Sequence, residues 1–183
     1  MDKSQARAEV KARLAALSAL DKKSADKAVE VACADYLIVR GYNNVCIYNA
    51  LPSEVATLGI VTRLLDAGCK VCMPIVRGDG MSLVYIDAAT EYRCGAFGIA
   101  EPVGESVRAE DAALDAVVTP MLAYTDGLGR IGKGKGYYDR FFARISGAEK
   151  IGIAYSLQYV SNVELDMHDV PMDLIITEKG LNN

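Results

Sequence analysis

Residues 45–74, VCIYNALPSEVATLGIVTRLLDAGCKVCMP, form the stretch that determines the fold we predict. Its first four residues, and the four that precede Pro74, are short runs of strand length. Between them, Ser53 follows a turn and is a suitable N-cap for a helix over 54–67, which Gly68 terminates. A strand, a helix and a second strand in this order predict a right-handed crossover between parallel strands.

The remainder of the chain continues this alternation of helices and strands. An apolar stripe with helical spacing precedes the central stretch and consists of Ala6, Val10, Leu14 and Leu17. A second helix is predicted over 24–39, with Ser24 as N-cap and Gly41 at its C-terminus, and another over 137–145. Further strands are predicted at 81–86, 116–119, 151–155 and 174–177. We therefore expect one domain, residues 1–183, with a three-layer α/β/α fold, a mostly parallel sheet, and N-terminal helices (1–40) that pack on the α/β core.

The composition excludes several classes of protein. The 183 residues are 51% hydrophobic and 24% charged, which is usual for a packed fold and unlike a disordered chain. A formal net charge of -4 argues against nucleic acid as a partner, and no apolar stretch is long enough to cross a membrane. Without a secretory signal, the five cysteines are expected to be reduced thiols in the cytoplasm. Cys69 and Cys72 have C-x-x-C spacing, but no second pair completes a zinc site.

The segment richest in chemistry is DGLGRIGKGKGYYDR, residues 126–140. Its five glycines allow positive φ and a close approach of the backbone to a ligand. Four cations lie among or beside them, namely Arg130, Lys133, Lys135 and Arg140. Because a helix N-terminus follows, the backbone N–H groups and these cations together predict an anion site, most consistent with phosphate. A flexible loop with solvated charges is the structural alternative.

Two known phosphate motifs match this segment only in part. Gly127, Gly129 and Gly132 satisfy G-x-G-x-x-G, but no acidic residue ends the following strand, as dinucleotide binding requires. Residues 127–133 also satisfy G-x-x-x-x-G-K, but Gly134 stands where a P-loop has Ser or Thr. A metal ligand must therefore come from elsewhere. Asp139 is the candidate, although it can instead pair with Arg140 or complement the helix dipole.

The segment GKGKGYYDR, residues 132–140, resembles the characteristic motif of the 5-formyltetrahydrofolate cyclo-ligase family, also called methenyltetrahydrofolate synthetase. The resemblance extends over nearly the whole chain. Weaker matches occur in the family's order at KSQAR (3–7), Tyr48 with Glu54 and Thr57, GIAEP (98–102), HDVPMD (168–173) and ITE (176–178). The resemblance implies an enzyme that uses ATP and Mg²⁺ to convert 5-formyltetrahydrofolate into 5,10-methenyltetrahydrofolate, ADP and phosphate. The γ-phosphoryl group would pass to the formyl oxygen before N10 attacks the activated carbon.

The resemblance also assigns roles to individual residues. The catalytic residues it implies are Lys135, Tyr137, Glu54 and Arg130. Contacts to ATP are implied for Lys3, Arg7, Arg130, Gly132, Lys133, Gly134, Lys135, Gly136, Tyr137 and Tyr138. Contacts to the folate are implied for Glu54, Phe97, Lys135, Gly136 and Tyr137, and Mg²⁺ ligation for Asp139 and Asp169. We expect a monomer whose partner is this small-molecule substrate. From the residues alone, Lys3 and Arg7 also suit a solvated helix face, and Glu54 a first-turn acid.

The chain departs from the family pattern where it enters the glycine-rich segment. Met121 replaces a glycine, Tyr124-Thr125 replaces Phe-Asp, and Leu128 stands at a position where glycine is expected. If the missing acidic residue orients Arg130 or the loop, Asp126 can substitute from the next position. These departures leave two alternatives open. One is a diverged member that acts on another N-formyl substrate, and the other is a folate- or nucleotide-binding protein without turnover.

Overall fold

The structure, a computed structural model, describes residues 1–95, 98–167 and 169–182. The helices in these ranges are α1 (Lys3–Ala16), α2 (Ala19–Val39), α3 (Leu58–Asp66) and α4 (Tyr137–Phe142). The strands are β1 (Asn44–Ile47), β2 (Lys70–Arg77), β3 (Gly80–Ile86), β4 (Tyr92–Cys94), β5 (Ala100–Pro102), β6 (Ser106–Val107), β7 (Ala116–Pro120), β8 (Ala123–Tyr124), β9 (Arg130–Ile131), β10 (Glu149–Ile153), β11 (Leu174–Thr177) and β12 (Gly180–Asn182).

One large sheet organises the described part of the chain. Its strand order is β12-β11-β10-β7-β1-β2-β3-β6. The five strands from β11 to β2 pair in parallel, and the antiparallel strands β12, β3 and β6 lie towards the two ends. The β1–α3–β2 unit is the predicted crossover, with Val45 opposite Val71 in parallel register. The mostly parallel α/β fold is therefore confirmed.

Helices cover both faces of this sheet, because its central strands are apolar throughout. Ala116 to Thr119 of β7 are completely buried, as expected for a parallel strand covered on both sides. Side chains of α2 and α3 pack on one face, and Phe141 and Phe142 of α4 pack on the other. Helix α1 packs elsewhere, with Ala6 and Val10 against the hairpin of β8 and β9. That contact holds α1 beyond the edge of the sheet.

The loop after β1 is longer than predicted, so the helix predicted over 54–67 begins at Leu58 instead. The N-cap position belongs to Thr57 and not to Ser53. The reason is a set of local hydrogen bonds that compete with a helix. The Leu51 N–H donates to the Glu54 carboxylate at 2.9 Å, and the Tyr48 hydroxyl donates to the Val55 carbonyl at 3.0 Å.

Other boundaries also differ from the prediction, and two of them have a clear physical reason. Helix α2 begins at Ala19 because Ser18, and not Ser24, accepts a hydrogen bond at its N-terminus. Strand β2 continues through Pro74 to Arg77. Its parallel partner β1 pairs only as far as Cys72, so the missing N–H of Pro74 lies where β2 has become an edge on that side. None of the described helices is both long enough and apolar enough to cross a membrane.

Candidate active site

The candidate functional side chains lie at the carboxyl ends of the parallel strands. Strand β1 leads into the loop that carries Glu54, and β7 leads into the β8–β9 hairpin and the glycine-rich segment. Strand β10 leads to Tyr155, whose hydroxyl contacts the Glu54 loop. Helix α1 lies against the hairpin. Ligand sites in open α/β sheets form at this edge.

Helix α1 holds the glycine-rich segment through Arg7. The Arg7 Nε donates to the carbonyl of Gly132 at 2.9 Å. Its guanidinium carbon lies 3.7 Å from the place where a Cβ would stand on Gly134. Gly134 and Gly136 have φ of 95° and 65°, a conformation that strains other residues. The backbone here is exposed to an incoming ligand and is positioned by a cation.

Lys3 connects the start of α1 with the segment that precedes β11. Its ammonium lies 2.6 Å from an oxygen of Asp166 and also pairs with Asp169. Partial burial lowers the pKa of Lys3, but the bonds to Asp166 and Asp169 outweigh that effect, and the pKa is raised. Lys3 is therefore ion-paired and mostly buried, and is not a solvated residue on a helix face.

Arg130 is the most deeply buried cation of the site, with 5% of its side chain exposed. It donates to Asp139 at 2.7 Å, and its guanidinium lies 5.6 Å from the ring centre of Tyr138. Burial raises the pKa of Tyr138, so that ring stays neutral. The Arg130 Nε has no hydrogen-bond partner among the described residues. A buried donor without an acceptor destabilises the free protein and favours a ligand that supplies one.

Glu54 faces the glycine-rich segment from the opposite side. Its carboxylate is 12% exposed and lies 2.6 Å from the ammonium of Lys133. The second oxygen accepts the Leu51 N–H. Glu54 is therefore a loop residue, and the alternative of a first-turn helix acid is wrong. Three ion pairs now define the site, and each joins a proposed phosphate-binding cation to a carboxylate: Lys3–Asp169, Arg130–Asp139 and Lys133–Glu54.

Asp26 and Asp166 are site residues that the sequence patterns did not predict. Asp26 of α2 accepts from the Tyr155 hydroxyl at 2.5 Å and from the Ala56 N–H at 3.0 Å, so it anchors the loop that carries Glu54. Asp166 shares Lys3 with Asp169. The sequence did contain a signal for Asp166, because it lies three residues before Asp169, with His168 between them. Nothing in the sequence distinguished Asp26 from the other acidic residues of its helix.

Asp139 and Asp169 fit a divalent cation only together with further ligands. Within the described ranges, no group of three or more His, Cys, Asp or Glu side chains could hold a metal ion. Mg²⁺ commonly binds one or two carboxylates, with phosphate oxygens and water completing its shell. Both carboxylates are occupied by cations, so their chemistry suits a metal that arrives with a phosphate-bearing ligand. Asp139 pairs with Arg130 and not with Arg140.

The remaining predicted site residues take no part in the three ion pairs. Lys135 is exposed and extends from the glycine-rich segment. The Tyr137 ring packs 5.1 Å from the guanidinium of Arg140, which also donates to the carbonyl of Asp79 at 3.0 Å. Phe97 lies outside the described residues, as does His168. The proposed contact of Phe97 with folate therefore stays a prediction.

The departure at Leu128 preserves the backbone that glycine would adopt. Leu128 has φ of 62°, and its carbonyl accepts the Met172 N–H at 3.0 Å. A left-handed conformation costs a non-glycine residue roughly 1–2 kcal/mol. The Leu128 side chain packs against the core cluster that covers one face of the sheet, which offsets part of this cost. The segment thus enters the site with the turn intact.

The other two departures are also accommodated locally. The Met121 methyl lies where a side chain on Gly152 would stand, so a glycine on β10 makes room for the larger residue. Thr125 closes the turn by donating its N–H to the Gly129 carbonyl at 3.0 Å. Asp126 accepts from the Tyr159 hydroxyl at 2.8 Å. Arg130 donates to Asp139 and not to Asp126, so a role of Asp126 in orienting the loop stays a prediction.

Comparison with known proteins identifies the family of this chain. The model of the 5-formyltetrahydrofolate cyclo-ligase family matches residues 1–178. The chain is 30% identical to the 5-formyltetrahydrofolate cyclo-ligase of Mycoplasma genitalium, over 96% of this chain and 98% of that one. It is also 30% identical to a probable 5-formyltetrahydrofolate cyclo-ligase of Schizosaccharomyces pombe, over 76% of this chain and 78% of the relative.

Solved structures show the same relationship. The chain resembles the NMR structure of Aquifex aeolicus 5,10-methenyltetrahydrofolate synthetase with a TM-score of 0.86 and 31% identity, covering 99% of this chain and 92% of that one. It resembles a 5,10-methenyltetrahydrofolate synthetase from Mycoplasma pneumoniae with a TM-score of 0.77 and 25% identity, covering 97% and 99%. The predicted family resemblance is confirmed.

Proposed function

This chain belongs to the 5-formyltetrahydrofolate cyclo-ligase family of enzymes, and we propose that it uses ATP and Mg²⁺ to close the ring of 5,10-methenyltetrahydrofolate. The formyl oxygen on N5 carries electron density from the amide nitrogen, so it can attack the γ-phosphorus while ADP departs. The N10 lone pair then attacks the formyl carbon, N10 releases its proton to solvent, and the C–O bond breaks to release phosphate. Such transfer depends on positioning and on neutralisation of charge.

The cations of the glycine-rich segment and α1 neutralise the phosphates of ATP. Arg7 already fixes the position of Gly132, and the backbone of Gly134 and Gly136 can approach a ligand without a Cβ in the way. Arg130 offers its unpartnered Nε–H to a phosphate oxygen. Lys135 is exposed and reaches the transferring group. A bound anion would satisfy the Arg130 Nε–H, which favours nucleotide binding.

The three ion pairs of the site exchange partners when ATP binds. Phosphate oxygens replace the carboxylates beside Lys3, Arg130 and Lys133. Asp139 and Asp169 are then available to hold Mg²⁺, which supplies positive charge to the phosphates when bound. The same exchange frees Glu54 from Lys133. Its carboxylate can accept a hydrogen bond from the N10–H of the folate and orient that nitrogen towards the formyl carbon.

A single observation carries this proposal: the Arg7–Gly132 bond holds the glycine-rich segment against α1, the helix that also carries Lys3. The test mixes the protein with 5-formyltetrahydrofolate, ATP and Mg²⁺ and follows the near-ultraviolet absorbance of the methenyl product. We expect a rise that requires both ATP and Mg²⁺. Binding of ATP without any rise would favour a different N-formyl substrate or a protein without turnover.

The left-handed backbone at Leu128 supports the enzyme over these alternatives, because it is a conformation that glycine at this position adopts readily. The proposal also includes a monomer in the cytoplasm. All five cysteines are free thiols, which supports the reducing compartment. Light scattering at working concentration tests the first point, and thiol titration of protein isolated without reductant tests the second.

A further inference from the structure

A cavity lies beside the active site, and we call this cavity the basic groove. Its volume is about 280 Å³, near the lower end of the roughly 300–1,000 Å³ of small-molecule pockets. It lies between the second half of α1, the start of α2 and the loop that carries Glu54. Its walls are mainly apolar and come from Leu14, Ala15, Leu17, Leu122 and the ring of Tyr155. Three lysines complete the lining: Lys11, Lys22 and Lys133.

Lys11 supplies the uncommitted charge of the basic groove. Lys22 is paired with Asp26 at 2.8 Å, and Lys133 with Glu54 at 2.6 Å. Lys11 has no ion-pair or hydrogen-bond partner in the part of the chain that the structure describes. It lies one helical turn after Arg7 on α1, so both side chains leave the same face of the helix. The groove therefore continues the active site along α1.

The positive charge is confined to the basic groove, as an adjacent cavity shows. The second cavity has about 290 Å³ and shares Leu17 and Tyr155 with the basic groove. Its charged residues are acidic, Asp21 and Glu178. Two neighbouring cavities of similar size thus differ in the sign of their charge. An anionic ligand favours the basic groove.

We propose that the basic groove binds the p-aminobenzoylglutamate tail of the folate, an inference that rests on the proposed function. Pro52 and Ser53 form part of its wall and directly precede Glu54, beside which the reacting nitrogens lie. The benzoyl ring packs on the apolar wall, and a glutamate carboxylate pairs with Lys11. Adenine is the weaker candidate, since an uncharged base gains nothing from the unpaired Lys11, whereas the tail carries two carboxylates.

Direct binding tests the assignment without any need for turnover. Calorimetry on the full chain compares p-aminobenzoyl-L-glutamate with its uncharged diamide. We expect wild type to bind the dicarboxylate more tightly than the diamide, and Lys11→Gln to weaken dicarboxylate binding about fivefold, as loss of one exposed ion pair predicts. Lys23→Gln is the matched control, because Lys23 is an exposed lysine that does not line the groove. Equal binding by wild type and Lys11→Gln, or equal weakening in both variants, would overturn the assignment.

Kinetics separate failure of this assignment from failure of the proposed function. The ratio of KM for 5-formyltetrahydropteroate, which lacks the glutamate, to KM for 5-formyltetrahydrofolate is expected to fall about fivefold in Lys11→Gln. If Lys11→Gln instead raised KM for ATP and left this ratio unchanged, the groove would belong to the nucleotide and the tail assignment would be refuted. Wild type that binds the tail fragment through Lys11 but forms no product would keep the groove and refute the proposed reaction.

Discussion

Replacement of Asp26 by alanine is expected to loosen the loop that positions Glu54. Asp26 accepts from the Tyr155 hydroxyl at 2.5 Å and from the Ala56 N–H at 3.0 Å, and it pairs with Lys22 at 2.8 Å. Burial and the bond to Asp26 raise the pKa of Tyr155, so its hydroxyl remains a donor at neutral pH. Ala56 and Lys22 reach water, whereas Tyr155 is 1% exposed and keeps only a 3.1 Å bond to the Glu54 carbonyl.

The magnitude follows from the single buried bond that is lost. A hydrogen bond to a charged group is worth about 1.5–3 kcal/mol, so Asp26→Ala should lower the free energy of unfolding by about 2 kcal/mol. Asp26→Asn keeps one acceptor oxygen and should lose about half of that. Urea denaturation measures both values. We also expect KM for 5-formyltetrahydrofolate to rise in Asp26→Ala and to recover partly in Asp26→Asn.

Asp35 provides the control for this prediction. It also lies on α2, but its pair with Arg63 is at the surface, and 55% of the Asp35 side chain is exposed. Asp35→Ala should therefore change the free energy of unfolding by no more than about 0.5 kcal/mol. If Asp26→Ala and Asp35→Ala unfold at the same urea concentration, the argument from the buried Tyr155 hydroxyl is refuted.

Four further outcomes are expected. Lys135→Ala should lower kcat by about 100-fold or more, with the melting temperature unchanged because Lys135 is exposed; a near-normal rate would contradict its role. Asp139→Asn should abolish turnover and also lower the melting temperature, since Arg130 loses its partner. Glu54→Gln should raise KM for the folate more than KM for ATP; equal changes would count against its assignment. Two 2.9 Å contacts to Arg144 hold the pKa of Glu110 at about 2, below the usual 4.5, so its stabilising effect is present above pH 4.5 and is lost as the pH falls towards 2. Glu110→Gln should flatten the loss of thermal stability in that window.

Periodicity and turn residues predicted the sheet because its strands are short, apolar and separated by clear breaks. The β1–α3–β2 crossover is the best example, since each of its elements has a distinct pattern. The predicted element boundaries were wrong where a side chain distant in sequence binds the backbone. Asp26 fixes Ala56 across 30 positions, and no local pattern near Ser53 signals that a loop replaces the first turn of α3.

The candidate site was predicted from one segment and a resemblance, and the ion pairs within it were not. The glycine-rich segment 126–140 stands out by composition alone. Asp139 has Arg140 beside it and Arg130 nine positions away, and the sequence gives no reason to prefer the distant arginine that it in fact binds. The pairing of Lys3 with Asp166 spans 163 positions, and the sequence contains no local mark of such a contact.

The position of α1 has a consequence for the order of events during synthesis and refolding. Its apolar side chains rest on the β8–β9 hairpin, and Arg13 donates to the carbonyls of Leu157 and Tyr159. Helix α1 therefore leaves the ribosome before its docking surface, which is complete only after most of the following chain has been made. Contacts so distant in sequence form late, because a large loop must close before they contribute. Recovery of nucleotide binding after dilution from denaturant should lag behind recovery of sheet structure.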